Sequence, residues 1–430
     1  MAWLGTWAKR IEITVDNSNI DSDLTHFPVP ISISSASGQD SDDLTPIFDE
    51  IGSSYQKLAV TKSDGTTQIY VEVESWDDTA EEGLLWVSSS GLTLASASET
   101  TLYIYYDSAQ SDNTSYVGVP GSRTEVWDSD FAGVWHLSQD PTGSSGCIKD
   151  STSNGNDGTP NGSMTSGDLV DGPVAGMKAL DFDGADDLVN VGTSDTLNLT
   201  STLTIEALIN LDSFGEYDQG RIFRRRHDEP HAGYIFYVND TDDTLTLGAV
   251  GGNSADSNAS SVSTASWLHV VVVLDSGTAT FYVDGISSGS GGSISITGQS
   301  GVTAYIGNNN GQTRTFDGKI ACVRAYSSAC SAAWIKADHY ALTDDLLSYG
   351  TEESATVFSG TVEESDSPVA RTVRVYDRST GELLGETTSD SGDGSWSIAV
   401  GDTSPVYVVC LDDDSGTQYN AQIYDRVSVS

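Results

Sequence analysis

Two clusters in this chain have the residue types and spacing for chemistry, and in both the chemistry is binding. Between Asp150 and Gly158 the run Asp-Ser-Thr-Ser-Asn-Gly-Asn-Asp-Gly packs carboxylates, carboxamides and glycines too tightly for helix or strand. It is expected to be a loop rich in hard oxygen ligands. Asp150, Asn154 and Asn156, with Asp183 from the later Asp183-Gly184 turn, make the candidate metal set. The cation that suits it is structural Ca²⁺, which accepts about six to eight oxygens in flexible geometry. The spacing half matches an EF-hand loop and lacks its bidentate glutamate, so that reading fails. The plainer alternative is that Asp and Asn stand here for their turn preferences.

Arg221, Arg224, Arg225 and Arg226, with His227 and His231 beside them, form the one basic cluster. Tyr217, Tyr234 and Tyr237 lie close in sequence. A guanidinium grips carboxylate or phosphate through two parallel hydrogen bonds, and a tyrosine ring stacks on a sugar. A glycan ligand is the binding expectation. Isolated charge clusters are usually solvated or paired, so pairing of the arginines with acidic loops is the structural expectation beside it.

Hydrolysis of a glycosidic bond needs two carboxylates about 5–10 Å apart. Glu72 and Glu74 alternate in Val71-Glu-Val-Glu and share a strand face, where they are expected to meet solvent. No Gly-x-Ser-x-Gly elbow, P-loop or His-Glu-x-x-His motif is present. No enzymatic activity is expected.

The chain has 430 residues, with 63 acidic against 19 basic and a formal net charge of -44. Such a charge excludes nucleic acid and anionic membrane as natural partners. The hydrophobic content of 37% supports packed cores rather than disorder. Cys147, Cys322, Cys330 and Cys410 lack Cys-x-x-Cys spacing and are expected to be plain thiols. No apolar run is long enough to cross a bilayer, and the first ten residues do not read as a signal peptide, so synthesis in a cytoplasm is expected.

The elements that carry these residues are strands. Ile11, Ile13 and Val15 share one face, as do Ile69, Val71 and Val73, and Leu102, Ile104 and Tyr106. Leu203 to Leu211 alternates in the same way. Trp267 to Leu274 is apolar on both faces and suits a central strand, paired with Ala279 to Val283 across the turn at Asp275. Ser331 is placed to cap a short helix. The fold class expected is all-β, with three tandem β-sandwich domains over residues 1–125, 126–350 and 355–430. The Glu/Ser run after Thr351 is expected to be a short linker.

Three resemblances give this plan names. Trp7…Arg10-Ile-Glu-Ile-Thr-Val-Asp-Asn, Asp23-Leu-Thr-His-Phe-Pro-Val-Pro-Ile, Val71-Glu-Val-Glu-Ser-Trp-Asp, Leu85-Trp-Val and Leu102-Tyr-Ile-Tyr-Tyr resemble a module of unknown function that commonly precedes laminin-G-like jelly rolls. The pieces Val134-Trp-His-Leu, Ala179-Leu-Asp-Phe-Asp-Gly-Ala-Asp-Asp-Leu-Val-Asn-Val and Gly318-Lys-Ile-Ala-Cys-Val-Arg-Ala-Tyr are similar to such a jelly roll, of the concanavalin A type. That resemblance implies structural calcium near the loops. The Glu-x-Asp-x-x-Glu strand of its glucanase relatives is missing here. Residues 357–430 resemble the immunoglobulin-like or carboxypeptidase-regulatory-like modules that end phage structural proteins.

Together these imply a non-enzymatic virion structural protein, a capsid decoration or tail appendage, with other virion proteins as partners. Its lectin-like domain would face host glycan. Homotrimers follow only by analogy with viral appendages, and the expected location is the virion. The alternative is a bacterial cell-surface or secreted carbohydrate-binding adhesin; a glycoside hydrolase is the weaker one.

Overall fold

The computed structural model describes residues 2–227, 232–249, 251, 253–401, 405–413 and 421–427. Strand makes up 45% of the chain and helix 9%, so the fold is all-β as expected.

In the N-terminal module the strand Lys9–Val15 buries Ile11, Ile13 and Val15, the face that alternation selects. It pairs with Thr100–Tyr106, placing Ile13 opposite Leu102. The strand Gln68–Asp77 touches Leu58–Lys62 only at Ile69 and Gln68, then pairs with Glu82–Ser88 through an irregularity between Val73 and Ser75. The nine-stranded sheet thereby folds over itself, and both halves contribute to one core, from Ile11 and Ile104 to Ile31 and Leu85. Fully burying side chains of this size stabilises by about 1.5–3 kcal/mol each.

The central domain is two packed sheets, one of eight strands and one of seven. Thr202–Ser213 lies between Trp267–Asp275 and Asp317–Tyr326 in the first. Trp267–Asp275 is apolar on both faces because both are covered. Val270, Val272 and Leu274 enter the sandwich core, while Val271 and Val273 pack on Ile335 of the helix Ala332–Leu342. Ser331 caps that helix, accepting the Trp334 N–H at 3.1 Å.

The first two domains do not part cleanly. The helix sends Ala337 and Ala341 into the N-terminal core, and the strand Leu347–Tyr349 adds itself to Lys9–Val15, pairing Val15 with Leu347. Glu353–Ser354 pairs with Lys9 and Arg10, so part of the expected linker is strand. The outer face of the eight-stranded sheet is buried against the N-terminal module, where Leu84 and Trp86 pack among Val134, Leu208, Cys322 and Tyr326. The seven-stranded sheet turns Arg221, Arg224 and Ile235 to its other side, where they are 8%, 4% and 4% exposed.

The C-terminal residues pair Thr356–Thr361 with Ser395–Val400 and order four more strands from Leu383–Thr388 to Gln422–Val427. Phe358, Val375, Ile398 and Val408 form their core. Trp3 reaches from the N-terminal module to pack with Ala399. All four cysteines are free thiols.

One sequence expectation is overturned. Glu72 and Glu74 do share a face, but that face is sealed: they are 0% and 8% exposed. The face of a strand says nothing about what covers it, and here the cover is the jelly roll.

Candidate functional site

On the seven-stranded sheet, the strand Arg221–His227 pairs with Ala232–Asn239 and with Ala304–Ile306. A bulge between Arg221 and Phe223 lets Ile222 and Phe223 both enter the core. Arg221 and Arg224, three apart, therefore come out on the same outer face, opposite Tyr237 and Ile235. Tyr305 faces Arg224 from the other neighbour. The Arg221 guanidinium lies 4.2 Å from the centroid of the Tyr237 ring. The loop Asn308–Phe316 brings in Arg314, which lies 4.6 Å over Tyr217. Tyr217 is 70% exposed. Burial pushes Arg221 down to about 10; the Tyr237 phenol works the other way, and the charges of Arg314, Arg224 and Arg226 add to the fall.

The arginines and tyrosines singled out in sequence are thus divided. Arg221, Arg224 and Arg226 follow the outer face, and Tyr217 joins it through Arg314. Arg225 and Tyr234 are paired residues of the inward face. Arg225 is fully buried, donating to Asn198 Oδ1 at 2.9 Å and to the Gln299 carbonyl at 3.0 Å. Tyr234 stacks on Phe223 and donates to the Leu197 carbonyl. Burial raises its phenol. His231 lies outside the described residues. Arg314 and Tyr305 were missed, and a lone arginine in an Asn/Gly/Thr loop carries no local signal.

The four candidate metal ligands are divided as well. Asp150 accepts the Val134, Thr152 and Asn156 N–H groups and the Thr152 hydroxyl, at 2.8–3.1 Å. Those four donors nearly fill a carboxylate's capacity. Asn154 and Asn156 donate to the Ala132 carbonyl at 3.2 and 2.9 Å, fastening the loop to the strand Phe131–Trp135. These three are turn-builders. No hydrogen bond among the described residues joins them to Asp183, whose acidic neighbours are Asp186 and Asp187, with ligand atoms all within 4.8 Å. Asp183 Oδ1 accepts the Ala185 N–H at 2.8 Å. Asp187 is 2% exposed, and its Oδ1 has no hydrogen-bond partner. Burial, then Asp183, Asp168 and Asp186, raises Asp187 to about 6, although the Asp183 N–H lowers it. A cation that takes carboxylate oxygens would satisfy the orphaned atom and relieve the repulsion, so this turn fits Ca²⁺. Asp186 and Asp187 stand in the motif itself; their ranking, not their presence, escaped the sequence.

A third ionisable group sits between the first two domains. Glu72 and Glu74 reach His136, at 3.6 and 3.2 Å, beneath Trp86 and Trp127. Trp86 donates to Glu74 at 2.7 Å, and Trp127 donates to Glu72. Arg324 stacks on Trp86 at 4.7 Å and binds Glu206 and Asp338, each at 2.9 Å. Glu206, His269 and Asp338 have metal-like proximity, but the Arg324 guanidinium is already the cation among them. All of these side chains are buried.

Residues 183–336 match the family model described as the concanavalin A-like lectin/glucanases superfamily. The central domain therefore has a lectin-like jelly-roll fold. No curated protein matches the sequence. Among solved structures, domain 4 of the extracellular arabinanase AbnA from Geobacillus stearothermophilus, in complex with arabinotriose, is 17% identical with a TM-score of 0.38, covering 49% of this chain and 98% of that one. The botulinum neurotoxin serotype G binding domain is 12% identical, TM-score 0.38, over 69% of this chain and 70% of that one. The heptameric SAP-like pentraxin of Limulus polyphemus is 16% identical, TM-score 0.27, over 36% and 83%. With TM-scores this low, none of the three bears on function.

Proposed function

We propose that this chain is a non-enzymatic structural protein of a phage particle, a capsid decoration or tail appendage, that presents its jelly roll to glycan on the host surface. The observation that supports this reading is the one-sided mounting of the lectin-like domain. One sheet face is fixed to the N-terminal module by a shared core, and the opposite sheet carries Arg221 on Tyr237, with the exposed Tyr217 under Arg314 beside them. A domain held this way keeps the opposite side in a fixed orientation on a larger body, which suits display. Its partners are then other virion proteins and a host glycan, its location is the virion, and homotrimers fit the same use.

Calcium belongs to the proposal as a structural ion at Asp183, Asp186 and Asp187. It would fix the turn that abuts the loop Asn308–Phe316, since Asn308 donates to the Asp187 carbonyl and Gln312 to the Asp186 carbonyl. Arg314 is carried by that loop.

The test is mass spectrometry of purified particles together with a glycan array probed with the purified chain. Stoichiometric presence in particles and selective glycan binding support the proposal. Particles without the protein would remove the virion role, and its recovery from the envelopes of bacteria lacking prophage would favour a cell-surface adhesin.

A further inference from the structure

We infer that Arg221, Arg314, Tyr217 and Tyr237 form a binding site for a carboxylate-bearing sugar residue, an assignment that rests on the glycan-binding reading and gives it a ligand class. Each guanidinium lies over a tyrosine ring, at 4.2 Å for Arg221 on Tyr237 and 4.6 Å for Arg314 on Tyr217. Stacking fixes the plane of the guanidinium and leaves its N–H edge for a planar acceptor.

That edge lacks an anion. Among the described residues no carboxylate forms an ion pair with Arg221 or Arg314, in a chain with 63 acidic residues. Arg221 is only 8% exposed, yet its Nε and Nη1 have no acceptor, and its Nη2 has Gln219 Oε1 at 3.5 Å. Buried N–H groups nearly always have partners, so an acceptor from outside the chain completes this one. Arg314 donates to the Thr313 carbonyl at 2.6 Å and keeps the rest of its fork.

Tyr217 supplies the sugar-facing part. It is 70% exposed and has φ 55, a left-handed backbone that an aromatic residue rarely adopts. An exposed ring held at that cost beside an unpaired cation offers its face to the C–H groups of a pyranose. A carboxylated sugar meets ring and fork together; a bare phosphate meets only the fork. Glu216 and Asp218 flank Tyr217 and disfavour a second negative charge on the ligand.

Isothermal titration of the full chain with 3′-sialyllactose and trigalacturonic acid, against lactose and inorganic phosphate, tests this. At least one acidic sugar is expected to bind about ten-fold or more tighter than lactose, weakening with salt. Arg314→Ala, at a half-buried position, and Tyr217→Ala, at an exposed one, are each expected to cut that affinity about ten-fold with the melting temperature little changed. Equal binding of lactose overturns the carboxylate class while the glycan reading stands. Acidic-sugar binding that both variants leave intact overturns the site. Phosphate that displaces the sugar at equal concentration overturns the sugar assignment, and failure of every glycan overturns both readings.

Discussion

Glu74 of the N-terminal module and His136 of the jelly roll meet at 3.2 Å, and neither side chain reaches solvent. Glu72 lies at 3.6 Å on the other ring nitrogen and accepts from Ser151 of the Asp150 loop. A charge pair with one partner in each domain makes their docking electrostatic as well as apolar. It also ties docking to pH.

Burial alone would push the His136 imidazole down, but the charge of Glu74, with Cys322 and Glu72, outweighs it and holds the group well above 6.5. A histidine raised on folding contributes stability that is complete below its unfolded pKa and is lost as the pH climbs through the folded one. The melting temperature is therefore expected to hold below about pH 6.5 and to fall as the pH rises through neutral into alkali. His136→Gln should lose roughly 3–5 kcal/mol at neutral pH and flatten the alkaline fall. Calorimetry across the pH range decides it: an alkaline fall of the same size in the variant removes His136 as its cause.

Arg324 is the cation for Glu206 and Asp338, all of them buried. Arg324→Met should cost roughly 3–5 kcal/mol, because two carboxylates would be left without a cation. Adding Asp338→Asn should recover part of that loss, since one charge fewer then needs neutralising. Urea unfolding of the single and double variants measures it, and additive losses would show that the pair is not coupled.

Calcium is expected to raise the melting temperature of chelated protein, and Asp187→Ala to abolish the rise. Burial, then the charges of its acidic neighbours, lifts Asp187 to about 6. In chelator this group favours folding below its unfolded pKa of 3.8 and loses that contribution as pH rises through about 6. Calcium needs the ionised form, so its affinity should weaken as pH falls below about 6. Isothermal titration at neutral and mildly acid pH checks both; a pH-independent affinity would place the ion elsewhere.

Arg225 and Arg314 should separate stability from binding. Arg225→Ala removes buried hydrogen bonds to Asn198 and the Gln299 carbonyl and should cost about 1–3 kcal/mol. Arg314→Ala should leave the melting temperature within about 1 °C, since the hydrogen bond it loses runs only to the adjacent Thr313 carbonyl. Thermal melts of the two variants in parallel test this. Equal losses would mean that the loop Asn308–Phe316 is held by Arg314.

The strand Leu347–Tyr349 closes the N-terminal sheet from the far end of the jelly roll. Residues 1–125 expressed alone are expected to expose Ile13, Val15 and the vacated sheet edge, and to aggregate. A monodisperse, cooperatively melting fragment would show the return strand to be dispensable.

The sequence by itself determined the strands and the all-β class. Period-two alternation selects the buried faces of Lys9–Val15 and Thr202–Ser213, the two-sided apolar run marks Trp267–Asp275 as covered on both faces, and Ser331 announces its helix. These signals are local, set by which side chains share a face. Tertiary structure decided what lies against each face. A single bulge put Arg221 and Arg224 together and turned Arg225 inward, a distant loop supplied Arg314, and docking of the jelly roll buried Glu72 and Glu74. Alternation fixes orientation only relative to neighbours in the same strand. One extra residue reverses it, and contacts between residues hundreds of positions apart leave no periodic trace in the chain.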